Sequence, residues 1–571
     1  MTDQGAAGLD PGPLALADAA DRWTVADWEA AAAAVLRKSG RLGEDDAADL
    51  VWSKLARRTL DGIEVSPLGT PLLDEGLPLD GARPTRSGDW DNRTPVVVRG
   101  AEGAADARET ALVDLDNGAT SLWLELRPGT PASAVAVALD GVLLDLAPVV
   151  LDAPDDQVAA ARALLELLGD TTPAPGTNLG GRGDSAVAVA RLARETGTLG
   201  LVVDATTVHD RGASEVQELA WSLRTAVGHL RELEADGFTV DEAAGLVEFR
   251  YAATDEQFPT LAKLRAARRL WARVLELSGA KPVAQRQHVV TSRPMMSAYD
   301  PWVNMLRTTV AAFAAGVGGA EAVTVLPFDT PLGVPDAFGR RIARNTSSLL
   351  ISESHLARVA DPAGGAHVVE KLTDDLARAA WELFGRLEDG ADLDELVTAT
   401  VAERDRQVAT RRRPLTGVTE FPHLGETLPE RPADPTAPEV RRYGAAFEAL
   451  RDDPVAQPVF LATMGSIASH TARATFAGNL FAAGGVAVEV AGATAGVDDV
   501  LAAYAGQPVV CLAGTDATYA EWGAPLVAAL RASGARRVIL AGKPRDLEVD
   551  DSCAMGVDAL AFLTRTREAL R

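Results

Sequence analysis

Cysteine and histidine are scarce in this chain, and their scarcity excludes several classes of site. Two cysteines among 571 residues, Cys511 and Cys553, cannot form a disulfide framework and have no metal-ligand spacing. The seven histidines contain no pair four residues apart, so no metal site is predicted. Such low cysteine usage fits a reducing compartment, and a cytoplasmic location is expected.

Positive charge and long apolar runs are also lacking. The chain has 55 lysines and arginines against 81 aspartates and glutamates, a formal net charge of −26. This charge repels phosphate backbones and anionic lipid surfaces, so neither nucleic acid nor a membrane is an expected partner. The most apolar segment, residues 141–152, is interrupted by Asp145 and is shorter than the roughly 20 residues that cross a bilayer. Residues 1–5 lack the basic start of a secretory signal.

Residues 1–85 are predicted to form an arm rather than a domain. Thr24 can cap a first helix that ends at Ser39, and a second helix follows. In the first helix, Trp28, Ala32, Val35 and Leu36 are predicted to share one packed face, and the second helix carries Val51, Trp52 and Leu55. Such a short segment cannot bury its tryptophans alone. It is expected to pack either on the domain that follows or on a partner chain.

From about residue 86 to residue 415, short apolar strands alternate with amphipathic helices. Strands are predicted at residues 199–204, 246–251, 288–291 and 322–326. Ser214 and Gln217 form a capping-box pattern at the start of one of the helices. A repeated strand-then-helix order over this length favours a parallel (β/α)8 TIM barrel in the α/β class.

A linker and a second α/β domain are predicted after the barrel. Prolines recur through residues 414–438 and prevent regular helix or sheet, so residues 416–455 are predicted to be an extended linker. Residues 456–571 contain predicted strands at 459–463, 486–490, 509–513, 538–541 and 559–562. Five strands alternating with helices indicate a flavodoxin-like doubly wound domain.

Five ordered motifs carry a family resemblance. They read Arg-Gln-His-Val-Val-Thr-Ser at 286–292, Asp-Pro-Trp-Val-Asn-Met-Leu-Arg-Thr-Thr at 300–309, Ala-Arg-Asn-Thr at 343–346, Glu-Ser at 353–354 and Asp-Pro-Ala-Gly-Gly at 361–365. Together they resemble the methylmalonyl-CoA mutase family, which interconverts methylmalonyl-CoA and succinyl-CoA by adenosylcobalamin radical chemistry. The resemblance implies that the domain after the barrel corresponds to a cobalamin-binding domain.

The resemblance also implies where a cobalamin motif would lie. Active members carry Asp-x-His-x-x-Gly, in which histidine ligates cobalt, aspartate fixes the histidine tautomer and glycine admits the cofactor's tail. This chain has Ala468, His470 and Arg473 at those positions. Ala468 cannot accept a hydrogen bond, and Arg473 puts a long cationic side chain in the place of the tail. We therefore expect that this chain binds no cobalamin and that His470 ligates no metal.

His288 corresponds to the histidine that contacts the substrate thioester in catalytic members of the family. Its surroundings depart from the family pattern, because Arg293-Pro294 replaces Gly-Trp and Ser347 replaces a glutamine. The substrate-contacting tyrosine has no convincing counterpart near residues 68–86. We interpret His288 as a vestigial barrel residue. The other charged or polar motif residues are interpreted as structural: Asp300, Arg307, Arg344, Asn345, Glu353, Arg358 and Asp361.

A retained scaffold with a degenerate cofactor motif resembles the small, or beta, subunit of the two-chain bacterial members. This resemblance implies a non-catalytic chain that forms a heterodimer with a large catalytic subunit, where adenosylcobalamin is expected. Two alternatives stay open. The chain could be an active cobalamin-dependent acyl-CoA mutase in its own right, or a regulatory module that binds CoA esters.

Overall fold

The computed structural model describes residues 22–77, 81–543 and 546–571. The predicted arm at residues 1–85 therefore lies partly outside the described residues, at 1–21 and 78–80. Within the described ranges, no helix combines the length and the apolar character that a bilayer crossing requires.

The N-terminal segment contains two helices and a short hairpin. They are α1 (Val25–Lys38), α2 (Val51–Leu55), β1 (Arg57–Arg58) and β2 (Glu64–Val65). Thr24 caps α1 as predicted, since its hydroxyl accepts the Asp27 N–H at 3.2 Å. The Trp28 and Trp52 rings pack together with centroids 4.6 Å apart. The placement of Val35 on the packed face is wrong, because this side chain is 67% exposed.

Eight parallel strands close into a barrel. They are β3 (Asp91–Val98), β4 (Ser121–Leu126), β5 (Val149–Asp152), β6 (Asn178–Gly181), β7 (Leu199–Asp204), β8 (Val247–Ala253), β9 (Arg286–Thr291) and β10 (Ala322–Thr324). Each strand pairs with the next along the chain, and β10 also pairs with β3, which closes the ring. The predicted barrel is confirmed.

Helices surround the strands and follow the last of them. They are α3 (Ala104–Asp116), α4 (Ala134–Ala138), α5 (Gln157–Leu168), α6 (Ala186–Thr196), α7 (Thr206–Asp210), α8 (Glu215–Ala235), α9 (Val240–Gly245), α10 (Gln257–Leu277), α11 (Val303–Val317), α12 (Ala337–Ser348), α13 (His367–Glu388) and α14 (Leu393–Ala409). A π-helical turn at Leu349–Glu353 follows α12. The predicted capping box of Ser214 and Gln217 is present at the start of α8.

Successive residues of β8 face alternately toward the surrounding helices and into the barrel. Phe249 faces the helices and packs on Trp271 of α10, with ring centroids 5.0 Å apart. Its neighbours Glu248 and Arg250 point to the opposite side, into the barrel, because successive strand residues alternate. The apolar core therefore lies between strands and helices, while charged groups occupy the barrel axis.

A five-stranded parallel sheet forms the C-terminal part. Its strands are β11 (Val459–Thr463), β12 (Val488–Val490), β13 (Val509–Ala513), β14 (Arg537–Ala541) and β15 (Asp551–Cys553), in the spatial order β12-β11-β13-β14-β15. The accompanying helices are α15 (Ala445–Asp452), α16 (Ile467–Ala483), α17 (Val497–Ala503), α18 (Asp516–Ala532) and α19 (Ala559–Leu570). Helix α15 lies inside the segment predicted to be the linker.

The strand predicted at residues 559–562 is wrong. These residues begin α19, which Asp558 caps by accepting the Ala561 N–H at 2.9 Å. The fifth strand is instead β15, where Cys553 pairs with Ala541 of β14. The apolar run at 559–562 is too short for its periodicity to distinguish a strand from a buried helix face.

Candidate functional site

An ion-pair network fills the barrel interior near the amino ends of the strands. Arg93 of β3 and Glu248 of β8 are both fully buried, and Nη1 of Arg93 lies 2.9 Å from Oε1 of Glu248. Arg286 of β9 donates from Nε to the other Glu248 oxygen at 3.2 Å. Asp91 Oδ2 lies 3.6 Å from Nη2 of Arg93, so the two arginines face two carboxylates.

A tryptophan and an arginine meet across the barrel axis. Trp123 lies on β4 and Arg250 on β8, which are opposite strands of the eight-membered ring. The Arg250 guanidinium carbon is 4.1 Å from the Trp123 ring centroid, and Nη1 of Arg250 donates to Asp204 Oδ2 at 2.7 Å. Burial raises the pKa of the Asp204 carboxyl, but Arg250 and Arg182 outweigh it and the net pKa is lowered. The contact between opposite strands closes the axis.

Arg293 covers the same tryptophan from the loop after β9. Its guanidinium carbon is 5.8 Å from the Trp123 ring centroid, and Nη1 donates to Asp210 Oδ2 at 3.0 Å. This arginine stands where the family resemblance places a glycine. The substitution therefore adds a large side chain to the layer that closes the barrel.

His288 lies in this closed layer, and both of its ring nitrogens have partners. Nδ1 accepts a hydrogen bond from Nε of Arg250 at 3.1 Å. Nε2 lies 2.8 Å from the Thr324 hydroxyl, which in turn donates to the Arg93 carbonyl at 2.8 Å. Because Nδ1 accepts, we assign the proton to Nε2. Burial, then the charges of Arg93 and Arg250, hold the pKa of His288 well below its ordinary value of 6.5.

The His288 side chain is enclosed by its neighbours in the barrel. The side chain is completely buried, and its ring packs edge-on against Trp123 with centroids 5.6 Å apart. A general acid or base must reach its substrate at hydrogen-bond distance. Here both ring nitrogens are hydrogen-bonded to protein groups, so the imidazole orients Arg250 and Thr324.

A cavity of about 420 Å³ lies above this layer, at the carboxyl ends of the strands. Its charged lining residues are Arg99, Arg127, Arg293, Arg340, Arg344 and Arg442, with Asp114, Glu125 and Asp434. Residues 433–442 form part of its wall, fixed by an ion pair of 2.6 Å between Arg99 and Asp434. Neither His288 nor Trp123 lines the cavity. An anion held there would remain separated from His288 by the side chains of Trp123, Arg250 and Arg293.

The second place of interest is the crevice at the carboxyl ends of β11 and β13. The strand order reverses between these two strands, and doubly wound sheets bind ligands at such a reversal. Arg473 of α16 fills the crevice. Its Nη1 donates to the Gly514 carbonyl at 2.7 Å, it forms an ion pair with Asp516, and its guanidinium carbon lies 4.9 Å from the Tyr519 ring centroid.

The two other motif residues lie in the first turn of α16. Ala468 is exposed and has no group that could orient an imidazole. His470 is only 6% exposed, and neither of its ring nitrogens has a hydrogen-bond partner within the described residues. Burial lowers its pKa. With Arg473 in the crevice and no carboxylate at residue 468, these residues do not fit a cobalamin tail and its cobalt ligand.

Of the remaining motif residues, three are held by contacts within the protein and three are exposed. Arg307 donates to the Thr416 carbonyl at 2.7 Å, and Arg344 donates from Nε to the Asn117 carbonyl at 2.9 Å. Asp361 forms an ion pair with Arg265. Asn345, Glu353 and Arg358 are exposed. In the described ranges, no group of three or more His, Cys, Asp or Glu side chains is arranged to hold a metal ion.

Sequence reasoning missed the residues that close the barrel. Glu248 and Arg250 alternate within a predicted strand, and this period of two could have indicated charges that point into the barrel. No local pattern pairs Trp123 with Arg250, because their strands are distant in sequence and meet only across the closed ring.

Comparisons with known proteins agree with the motifs. Residues 197–503 match the family model described as methylmalonyl-CoA mutase. The methylmalonyl-CoA mutase small subunit of Streptomyces virginiae is 46% identical, over 95% of this chain and 96% of the relative. The probable small subunit of Mycobacterium tuberculosis is 41% identical over 91% and 92%, and that of Propionibacterium freudenreichii subsp. shermanii is 32% identical over 100% and 99%. The chain belongs to the methylmalonyl-CoA mutase family, and its predicted resemblance to the small subunits is confirmed.

Proposed function

We propose that this chain is the small, non-catalytic subunit of a two-chain, adenosylcobalamin-dependent methylmalonyl-CoA mutase. In this proposal a homologous large chain carries out the rearrangement of methylmalonyl-CoA to succinyl-CoA. The small chain binds the large one and stabilises it. Three relatives that match nearly the whole chain carry the words small subunit in their names, which supports a partner of a different kind.

The observation that carries the proposal is the closed barrel axis. Trp123 is 2% exposed, and the guanidinium groups of Arg250 and Arg293 both lie near its ring. A catalytic barrel of this family would have to place an acyl-CoA within reach of His288. The side chains that separate His288 from the cavity above it support a structural role for this barrel.

The C-terminal domain supports the same proposal. Its strand order, β12-β11-β13-β14-β15, supports a flavodoxin-like domain, which we interpret as descended from a cobalamin-binding domain. The ion pair of Arg473 with Asp516 occupies the crevice in which such a domain would take the cofactor. Adenosylcobalamin is therefore proposed to bind the large chain and not this one.

The N-terminal arm is proposed to lie on the large chain. Trp23 is 80% exposed and Val35 is 67% exposed, although both belong to a segment with a small apolar cluster of its own. Exposed aromatic and aliphatic side chains of this kind often become buried in an interface. The arm could then add contact area beyond the barrel.

Titration of the isolated chain with adenosylcobalamin tests the proposal against an active mutase in its own right. We expect the cofactor's absorption spectrum to remain that of free cofactor at all protein concentrations. A spectrum with histidine coordinated to cobalt would contradict the non-catalytic assignment. Co-purification from the native source should recover a larger chain of the same family.

A CoA-ester-binding regulatory module is the second candidate function. It is favoured by the cavity of about 420 Å³, in which six arginine side chains outnumber three carboxylates. Isothermal calorimetry with methylmalonyl-CoA distinguishes the two functions. Heat of binding at sub-millimolar concentration would support the regulatory module. Absence of heat would support the structural role of the subunit.

A further inference from the structure

The outward face of α11 is free of charge. Leu306 is 68% exposed, Trp302 is 47% exposed and Val310 is 36% exposed. The only charged residue of the helix, Arg307, is buried and bonded to Ser297 and Thr416. The outward positions are Trp302, Val303, Met305, Leu306, Thr309, Val310 and Phe313. Helices on the outside of a soluble protein normally present charged or polar residues there.

The apolar surface continues onto α12. Phe328 is buried between Trp302, at 4.9 Å, and Phe338 of α12, at 6.0 Å between ring centroids. Phe338 is 41% exposed, and Leu349, the first residue of the π-helical turn after α12, is 50% exposed. We call Trp302, Leu306, Val310, Phe338 and Leu349 the α11–α12 face.

The size of the α11–α12 face suits the centre of a protein interface. Its five side chains expose on the order of 400 Å² of apolar surface, within the range of the largest patches on monomeric proteins. A stable interface covers about 800 Å² on each partner, with an apolar centre inside a polar rim. Tryptophan at such a centre is a frequent source of binding energy.

We propose that the α11–α12 face docks the large mutase chain, through an apolar and uncharged surface of that chain. This inference rests on the proposed function and assigns the surface that it requires. A second copy of this chain is a poorer occupant, because two chains that each carry a formal net charge of −26 repel one another. The relatives named small subunit support an occupant of a different kind.

The test measures binding of the large chain from the same source to the full-length chain and its variants. Leu306→Glu places a carboxylate at the centre of the face. We expect its dissociation constant to rise about 30-fold or more, as for residues at the centre of an interface. Leu146→Glu is the matched control, because Leu146 is 70% exposed and lies outside the α11–α12 face. Its affinity should equal that of the unaltered chain.

Val310→Lys repeats the test with the opposite charge, in case Leu306→Glu impairs folding; circular dichroism of each variant reports on its fold. If folded Leu306→Glu or Val310→Lys binds the large chain as the control does, the inference is overturned and the proposed function stands. If the unaltered chain does not bind the large chain, both fail. Self-association of the unaltered chain that Leu306→Glu abolishes, with binding to the large chain unchanged, would assign the face to a second copy and overturn the inference.

Discussion

The surroundings of Asp61 and His288 shift their pKa values in opposite directions. The two groups therefore change the stability of the fold with pH in opposite senses. Asp61 accepts a hydrogen bond from the Ser214 hydroxyl at the start of α8. Burial and then the charge of Glu215 raise the pKa of Asp61 to about 7. For His288, burial and nearby arginines lower the pKa. The two groups therefore favour the fold at opposite ends of the pH range.

Asp61 should make the folded chain less stable as pH rises. Its folded state holds the proton more tightly than the unfolded chain, so the stabilisation present below about pH 4 is lost as pH rises to about 7. Asp61→Asn should remove this loss, which amounts to at most about 1.4 kcal/mol per pH unit. Urea unfolding at pH 5 and pH 7.5 measures it. An unchanged pH dependence in the variant would contradict the prediction.

Glu64→Gln provides the control for Asp61. Glu64 lies in the same hairpin, but its side chain is 60% exposed and its ion pair with Arg58 spans 3.5 Å. Exposed pairs of this kind contribute little to stability. The variant should therefore keep the pH dependence of the unaltered chain.

His288 should remain neutral where histidines ordinarily titrate. A folded pKa below the unfolded value means that stability from this group is complete above about pH 6.5 and is lost as pH falls below it. NMR of histidine-labelled protein, assigned by His288→Gln, should show no titration of this ring near pH 6.5. The spectrum should also place the proton on Nε2. Titration near that pH would contradict the closed geometry around His288.

At the scale of secondary-structure elements, a buried lysine joins two helices and a strand. Lys263 of α10 donates to Glu218 of α8 at 2.6 Å and to the Ala252 carbonyl of β8 at 2.7 Å. Glu218 also accepts the Ala252 N–H at 2.8 Å. All polar atoms of this contact lie away from water. The contact holds α8 and α10 in place against the barrel.

Lys263→Ala should strongly destabilise the barrel. Removal of one partner leaves the Glu218 carboxylate buried without its counter-charge, which costs about 3–5 kcal/mol in comparable cases. Denaturant unfolding measures the change. Arg273→Ala, on the same helix, removes an exposed pair with Glu276 and should cost less than about 0.5 kcal/mol. Equal losses in the two variants would contradict the assigned role of Lys263.

At the scale of the whole molecule, the proposal of a non-catalytic chain combines the degenerate cobalamin motif with the closed barrel axis. Ala468→Asp with Arg473→Gly would restore two motif residues and empty the crevice. We expect no conversion of methylmalonyl-CoA by this double variant alone, because Trp123, Arg250 and Arg293 would still separate His288 from a substrate. The same assay with the large chain serves as the positive control. Turnover by the double variant without the large chain would show that the barrel is competent.

The sequence by itself determined the family, the barrel and the positions of its last four strands, because these depend on local apolar patterns, helix caps and ordered motifs. It also indicated Arg473 as an obstacle, since a long cation stands in place of a glycine. The fifth strand of the C-terminal sheet was placed wrongly at residues 559–562, because a short apolar run does not distinguish a strand from a helix.

Only the tertiary structure decided that the barrel axis is closed. Trp123 and Arg250 belong to distant strands, and their contact depends on closure of the ring and the inward direction of both side chains. Likewise, the contacts of Arg473 join α16 to Gly514 and Asp516, where β13 ends and α18 begins. Local sequence specifies the period of each element, whereas contacts across the axis and crevice arise only when those elements are assembled.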